Sequence, residues 1–163
     1  MLVLEKGKFR ARLATTQEEI VASQALRHKA FGLCEPDGLD KDAYDPLCEH
    51  MLIEDSETHA LVCCYRIMHL NSGDDIVRSY SAQYYNLTGL QSYKGKLVEM
   101  GRFCVDPSVQ DADVLRVAWG AMTQYVDDND VSLLFGCASF HGTDQSEYAD
   151  SFAVLRDRHI APK

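Results

Sequence analysis

At 163 residues, 46% of them hydrophobic and 25% charged, the chain is long enough for one globular domain with a sizeable core and too short for two ordinary ones. Its 25 acidic against 16 basic residues give a formal charge of −9, which argues against a nucleic-acid partner, since such binders carry a basic stripe. No apolar run is long enough to cross a bilayer, and Met1-Leu2-Val3-Leu4-Glu5-Lys6 puts its apolar residues before its charges, the reverse of a secretory leader, so the cytoplasm is the expected compartment.

Residues 8–14 alternate weakly through Phe9, Ala11 and Leu13 and read as a first strand. Thr16 followed by Glu19 is the spacing of a capping box, and Ile20, Val21, Ala25, Leu26 and Ala30 carry an apolar stripe out to Phe31, with Gly32 as the stop of the predicted helix. Residues 32–49, rich in acids, glycine and proline, read as a loop. A hairpin follows, with strands at 50–55 and 59–70 about the polar turn Ser56-Glu57-Thr58. Residues 71–95 have no clear period and are expected to be irregular with one short helix.

A strand over 96–105 leads to a helix capped by Asp111 or Asp113 and striped by Val114, Leu115, Ala118, Met122, Tyr125 and Val126. A buried strand over 131–140 precedes a last helix opened by Thr143 or Asp144 and carrying Tyr148, Phe152 and Leu155. The order β-α-β-β-(α)-β-α-β-α predicts an α/β domain with a mixed central sheet flanked by helices. The last two strands, joined through a helix, are expected to be parallel neighbours, with the ligand rim at residues 106–113 and 140–144.

The strand Leu97-Val98-Glu99-Met100-Gly101-Arg102-Phe103-Cys104-Val105 is unusual in carrying an acid, a glycine and an arginine in its interior. Strict alternation puts Glu99 and Arg102 on opposite faces, but one extra residue at Met100-Gly101 brings both to one face. They then either line a cleft or form a structural ion pair. Arg66, inside the apolar run 61–68, needs a partner, and Asp45 and Glu49 are candidates either for that pairing or for a cationic ligand. Arg27, near the end of its helix, is read as complementing the helix dipole or as functional.

Cys34, Cys48, Cys63, Cys64, Cys104 and Cys137 show no CxxC pair and no histidine at zinc-finger spacing, so reduced thiols are expected, the last four packed as small hydrophobes. The six histidines form no metal-binding set, and no Gly-x-Ser-x-Gly elbow occurs. The turn after Val105 lacks glycine, which disfavours a diphosphate and still admits a single phosphate or an amide chain, with Arg116 at hand.

Leu26-Arg27 with Phe31, the run Tyr44-Asp45-Pro46-Leu47-Cys48-Glu49-His50, Tyr65-Arg66, Glu99-Met100-Gly101-Arg102-Phe103-Cys104-Val105 and Phe135-Gly136-Cys137-Ala138-Ser139-Phe140-His141-Gly142-Thr143-Asp144 together resemble the ornithine lipid synthesis N-acyltransferases. These are L-ornithine Nα-acyltransferases of the GNAT superfamily, and the likeness runs from about Ala11 to Pro162. A broader likeness, through Arg27, Phe31, Asp45, Arg66, Glu99 and Arg102, extends to N-acyl-homoserine-lactone and N-acyl amino acid synthases.

The resemblance implies a GNAT-like fold that moves a 3-hydroxyacyl chain from acyl carrier protein to the α-amine of L-ornithine. It implies Glu99 as general base, Arg102 paired with Glu99 or with the carboxylate partner of Arg66, and Arg27, Phe31, Asp45, Glu49 and Arg66 around the acceptor. Within that set Asp45 and Glu49 would hold ornithine's side-chain ammonium, and Arg27 or Arg66 its carboxylate. Cys104, Val105, Arg116 and Ser139 would line the donor, with the carrier's phosphopantetheine as the donor arm and no bound cofactor or metal. The carrier would dock near Arg116, Arg156 and Arg158, with peripheral contact to the inner membrane face. Relatives run past residue 163, so the single domain at 1–163 is expected to lack a C-terminal continuation. Two alternatives stay open: signal synthesis of acyl-homoserine lactone or another N-acyl amino acid, and a non-catalytic acyl-carrier or lipid-binding module.

Overall fold

The computed structural model describes residues 3–160 apart from 141 and 143. Six strands form one sheet in sequence order: β1 (Val3–Lys6), β2 (Phe9–Leu13), β3 (Glu49–Asp55), β4 (Leu61–Leu70), β5 (Lys96–Val105) and β6 (Val131–Phe135). Every neighbouring pair is antiparallel except β5 and β6, which are parallel and joined through α2 (Asp113–Asp128), as the crossover reasoning expects. α1 (Gln17–Phe31) joins β2 to the acidic loop before β3, and α3 (Ala149–Arg158) follows a single 3₁₀ turn, Gln145–Tyr148.

Local chemistry sets the ends of α1. The Thr16 hydroxyl accepts the Glu19 N–H at 3.3 Å while the Glu19 carboxylate accepts the Thr16 N–H at 3.2 Å, and Gly32 closes the helix at φ 64°. Asp111 takes the Asp113 N–H at 2.9 Å at the start of α2, although the residue in the cap position itself is Ala112. Asp144 accepts the Ser146 N–H at 2.9 Å and opens the 3₁₀ turn rather than α3, while Thr143 lies outside the described residues.

The two faces of the sheet are filled differently. On one, Val114, Val117, Ala118, Ala121, Met122 and Tyr125 of α2 pack on Phe9, Ala11, Met51, Ile53, Cys63, Tyr65, Ile67 and Val98. Burying each of the larger apolar side chains stabilises the fold by about 1.5–3 kcal/mol. On the other face α1 buries Leu26 against Leu52, Cys64 and Cys104, yet its remaining buried residues are Ser23, Gln24 and Arg27. An inward stripe that polar has to meet polar groups, and this face holds the candidate site.

Three expectations are corrected. β1 was not foreseen, because Val3–Lys6 is four residues long and mostly exposed. Residues 71–95 form three 3₁₀ turns, Gly73–Arg78, Ser81–Gln83 and Thr88–Leu90, instead of one helix. β6 ends at Phe135 rather than at 140, since its pairing with β5 stops at Glu99 opposite Phe135. There Gly136 lies so close to β5 that a Cβ would sit 2.2 Å from the Met100 carbonyl oxygen. Beyond it β5 runs on to Val105 with no β6 partner, and the gap becomes a cleft. Among the described residues no helix is long and apolar enough to cross a membrane.

Candidate active site

A bulge in β5 sets the geometry. Cys64 pairs with Cys104 and Arg66 with Gly101, so Tyr65 alone stands against both Arg102 and Phe103. Arg102 takes the left-handed conformation, φ 54°, which is strained for a residue with a side chain. The extra residue therefore falls one step later than Met100-Gly101, but its consequence is the expected one: Glu99 and Arg102 share the α1 face. Phe103 is thrown to the α2 face, where it stacks on Tyr65 at 5.4 Å and on Trp119 at 6.1 Å.

Glu99 is 4% exposed. Its Oε2 accepts the Tyr80 N–H at 2.7 Å, and its Oε1 accepts the Ser81 N–H at 2.7 Å together with the Ser81 hydroxyl. Four lone-pair positions on a carboxylate against three donors leave one, on Oε2, for a proton or an incoming N–H. The Ser81 oxygen also lies 3.1 Å from Cys137 Sγ. Arg102 does not pair with Glu99. Its Nε meets Asp40 at 3.1 Å and its Nη2 meets Asp42 at 3.4 Å.

Arg102 closes a network of three arginines and three aspartates. Arg27 grips Asp45 bidentately at 2.8 and 3.0 Å, meets the Asp40 carboxylate at 3.0 Å and donates to the Asp40 carbonyl. Arg66 Nη1 reaches Asp42 at 2.5 Å and Asp45 at 3.0 Å. Gln24 adds a donor to Asp45 at 2.9 Å, and the Tyr80 ring stands 5.9 Å from the Arg66 guanidinium and 5.3 Å from that of Arg102.

This network and Glu99 form one wall of a cleft of about 1090 Å³, the upper end of the size range of small-molecule sites. Its other walls are Phe31 at the end of α1 and Leu33 beyond it, Tyr84 and Tyr85, the bulge with Trp119, and residues 134–139 at and beyond the end of the β5–β6 ladder.

Residues 23–120 match the family described as Acetyltransferase (GNAT) domain. The chain belongs to that family. The matched span of this GNAT domain begins within α1 and ends within α2, so it contains the whole arginine–aspartate network and the bulge. The domain is also 33% identical over 169 residues to an L-ornithine N(alpha)-acyltransferase of Rhodobacter capsulatus, covering 95% of the chain. It spans 65% of that relative's length. Among solved structures, the AHL synthase LasI shares the fold at a TM-score of 0.55 and 18% identity, over 78% of this chain and 71% of LasI. An aminoglycoside acetyltransferase from an uncultured soil metagenomic sample does so at 0.59 and 12%, over 96% and 91%.

In this GNAT domain the residues singled out from sequence separate into groups. Glu99, Arg102, Arg66, Phe31 and Ser139 line the cleft together. Arg27 and Asp45 do not: at 1% and 4% exposure they are sealed behind it and hold each other, so neither is open to an acceptor. Arg27 also faces inward rather than serving the end of α1. Glu49 points to the opposite face, where its carboxylate accepts the Tyr125 hydroxyl. Cys104 is buried with its Sγ 3.6 Å from that of Cys64, Val105 packs in the α2-side core, and Arg116 pairs with Asp113 on the surface. Arg156 and Arg158 are exposed on α3, Arg156 beside Asp157.

Cys137, expected to be packed, is exposed and lines the cleft, because the strand that would have buried it ends at Phe135. Of the motif at 140–144, His141 and Thr143 fall outside the described residues. The rim at residues 106–113 does not border this cleft, and residues 108–112 line a separate shallow pocket with Lys8 and Phe9. Sequence reasoning missed Tyr80, Ser81, Asp40 and Asp42. The only signal for the first two was the density of tyrosine in an otherwise polar stretch.

Among the described residues no three His, Cys, Asp or Glu side chains are grouped to hold a metal ion. Burial by itself would raise the carboxyl of Asp45, but Arg27 and Arg66 outweigh it and hold Asp45 well below the usual range. Asp42 is lowered in the same way, burial opposing and Arg66 prevailing. His50 is shifted down by burial, its Nε2 lying 3.1 Å from the Asp45 carbonyl oxygen.

These shifts set an acid limit. Carboxyls that titrate lower in the folded chain than in the unfolded one contribute fully above the unfolded value, near 3.9 for aspartate, and lose that contribution as the pH falls toward the folded value. The melting temperature is therefore expected to decline modestly below about pH 6.5, where the unfolded chain takes up a proton that buried His50 resists, and to fall steeply below about pH 4. Circular dichroism melts at stepped pH check this, and a melting temperature unchanged at pH 3 would contradict it.

Proposed function

We propose that this chain transfers a 3-hydroxyacyl group from the phosphopantetheine thioester of acyl carrier protein to the α-amine of L-ornithine, the first step of ornithine lipid synthesis. The match to the curated L-ornithine N(alpha)-acyltransferase, which takes in 95% of the chain, carries this reading. A deep carboxylate beside an apolar-walled cleft supports it.

In this reading the thioester lies in the gap between β5 and residues 136–139, with its acyl chain along Phe103, Trp119 and Leu134. The α-amine attacks only when deprotonated, so Glu99 takes its proton through the remaining position on Oε2, directly or through one water. A C–N bond forms, the tetrahedral oxyanion is held by backbone N–H groups of the unpaired part of β5, and the C–S bond breaks. The carrier thiolate leaves with the proton that Glu99 received, and the attacking nitrogen gives its second proton to the freed Glu99 carboxylate and on to water, leaving a neutral amide. A single-phosphate donor arm suits a β5–α2 turn without glycine.

The reaction belongs in the cytoplasm, with peripheral contact at the inner membrane face, where the product is used. Arg116, Arg156 and Arg158 remain the candidates for docking an acidic carrier, as a local patch on a chain of charge −9. Incubation with 3-hydroxyacyl carrier protein and L-ornithine is expected to release carrier thiol and yield an N-acylated product, both read by mass spectrometry. Product with S-adenosylmethionine and none with ornithine would favour the homoserine-lactone alternative. Acyl-carrier binding without any product would favour the non-catalytic one.

A further inference from the structure

Once the network's pairings are assigned, two arginine edges in the cleft are left without a hydrogen-bond partner among the described residues. Arg66 gives Nη1 to Asp42 and Asp45, while neither its Nε nor its Nη2 has a hydrogen-bond partner among the described residues, and only Nε is sealed from solvent. The side chain is 4% exposed and lines the cleft, so what remains open is the Nη2 edge. Arg102, 28% exposed, sets its buried Nε 3.1 Å from Asp40 as an ion pair without a hydrogen bond, turns Nη2 to Asp42, and has no partner for Nη1 among the described residues. Asp42 bridges the two guanidiniums, one on each of its oxygens, and the Tyr80 ring stands over both.

Among the described residues the backbone opposite these edges leaves room in the cleft. Gly101 stands directly opposite Arg66, on the strand that carries Glu99 and Arg102, and a Cβ added there would meet nothing within 4 Å. Tyr80 ties the two sides together, since its N–H donates to Glu99 while its ring covers the arginines. Three arginines against Asp40, Asp42 and Asp45 are neutral, and Glu99 adds one negative charge. A lone dianion such as phosphate would be opposed here. A zwitterion leaves the balance unchanged, its carboxylate on the arginines and its ammonium toward Glu99.

The geometry points to an α-carboxylate subsite formed by Arg66 and Arg102 over Gly101, which restricts the acceptor to α-amino acids with a free carboxylate and turns their α-amine to Glu99. This rests on the acyltransfer reading and adds to it which end of the acceptor is recognised. Arg102 acts on the substrate by direct contact, while Arg27, sealed behind, only fixes the aspartates.

Calorimetric binding of L-ornithine and of its methyl ester to the full chain tests the subsite, with carrier-thiol release measured in parallel. Loss of a carboxylate held by charged hydrogen bonds is expected to weaken binding on the order of 10- to 100-fold. Acylation should follow, even though esterification makes the α-amine less basic and so more available at neutral pH. Arg102→Gln should lower ornithine binding and shrink the ornithine-to-ester ratio.

Equal binding of ornithine and ester by the unaltered chain would overturn the subsite without recourse to any variant, as would a preference undiminished in Arg102→Gln. Turnover with equal binding removes the subsite and leaves the acyltransfer reading. A binding preference without turnover does the reverse.

Discussion

Replacing Asp45 with asparagine is expected to destabilise the fold by about 3–5 kcal/mol, the usual cost of leaving a buried charge without its partner. At about 2–4 °C per kcal/mol for a domain of this size, the melting temperature should fall by roughly 6–20 °C. Asp45 takes both terminal nitrogens of Arg27, one of Arg66 and the amide of Gln24. An asparagine keeps one acceptor and turns the other into a donor facing donors. Arg27 is 1% exposed and cannot recover its hydration. The partners should also couple: the loss in Asp45→Asn combined with Arg27→Met should be smaller than the sum of the single losses by more than about 0.5 kcal/mol. Denaturant melts of the four proteins check both statements, and a loss under about 1 kcal/mol for Asp45→Asn would show that water enters behind the cleft.

That network was only half legible in the sequence. Arg66 announced itself, because a charge inside an apolar strand demands a partner, and Asp45 was a named candidate. Arg27 did not, since an arginine near a helix end has a sufficient explanation in the dipole. What overrides that explanation is tertiary: α1 lies against a loop of aspartates, and its inward stripe is Ser23, Gln24 and Arg27. Asp40 and Asp42 were hidden by the opposite error, for acids in a polar loop read as solvated. Their burial follows from arginines on three separate elements, α1, β4 and β5, converging on the one loop.

The strands and helices with strong period or cap chemistry were placed correctly from α1 through α2, although of the apolar stripe read for α1 only Leu26 is buried. The error in β6 is instructive, because the apolar run from Val131 continues past the point where the sheet stops. Sequence reports that residues 136–140 are uncharged and mostly apolar, and strand pairing would be the ordinary use of that character. Only the geometry shows that β5 bends away through the Arg102 bulge and that Gly136, pressed on the Met100 carbonyl, is the last point of contact. The bulge and the early end of β6 act together. One turns Arg102 to the face of Glu99, and the other leaves the gap through which an acyl donor reaches it.

Glu99→Gln is expected to lower ornithine acylation by about 10²- to 10⁴-fold, the usual contribution of a positioned general base. Loss of activity alone does not make that case, because the substitution also disturbs structure. Both oxygens of Glu99 accept hydrogen bonds from the Tyr80–Ser81 turn, and an amide nitrogen in place of either would face a donor. A stability loss of about 1–3 kcal/mol is therefore expected as well. Ser81→Ala separates the two effects. It removes the hydroxyl donor to Oε1 and keeps the carboxylate, so it should cost comparable stability while lowering the rate less than about tenfold. Rates measured with saturating carrier substrate, beside melting temperatures for both variants, decide between two roles. An unchanged rate in Glu99→Gln removes Glu99 as the base. Equal rate losses in the two variants make it an anchor that holds Tyr80 over Arg66 and Arg102, and the proton of the α-amine must then leave by way of water in the cleft.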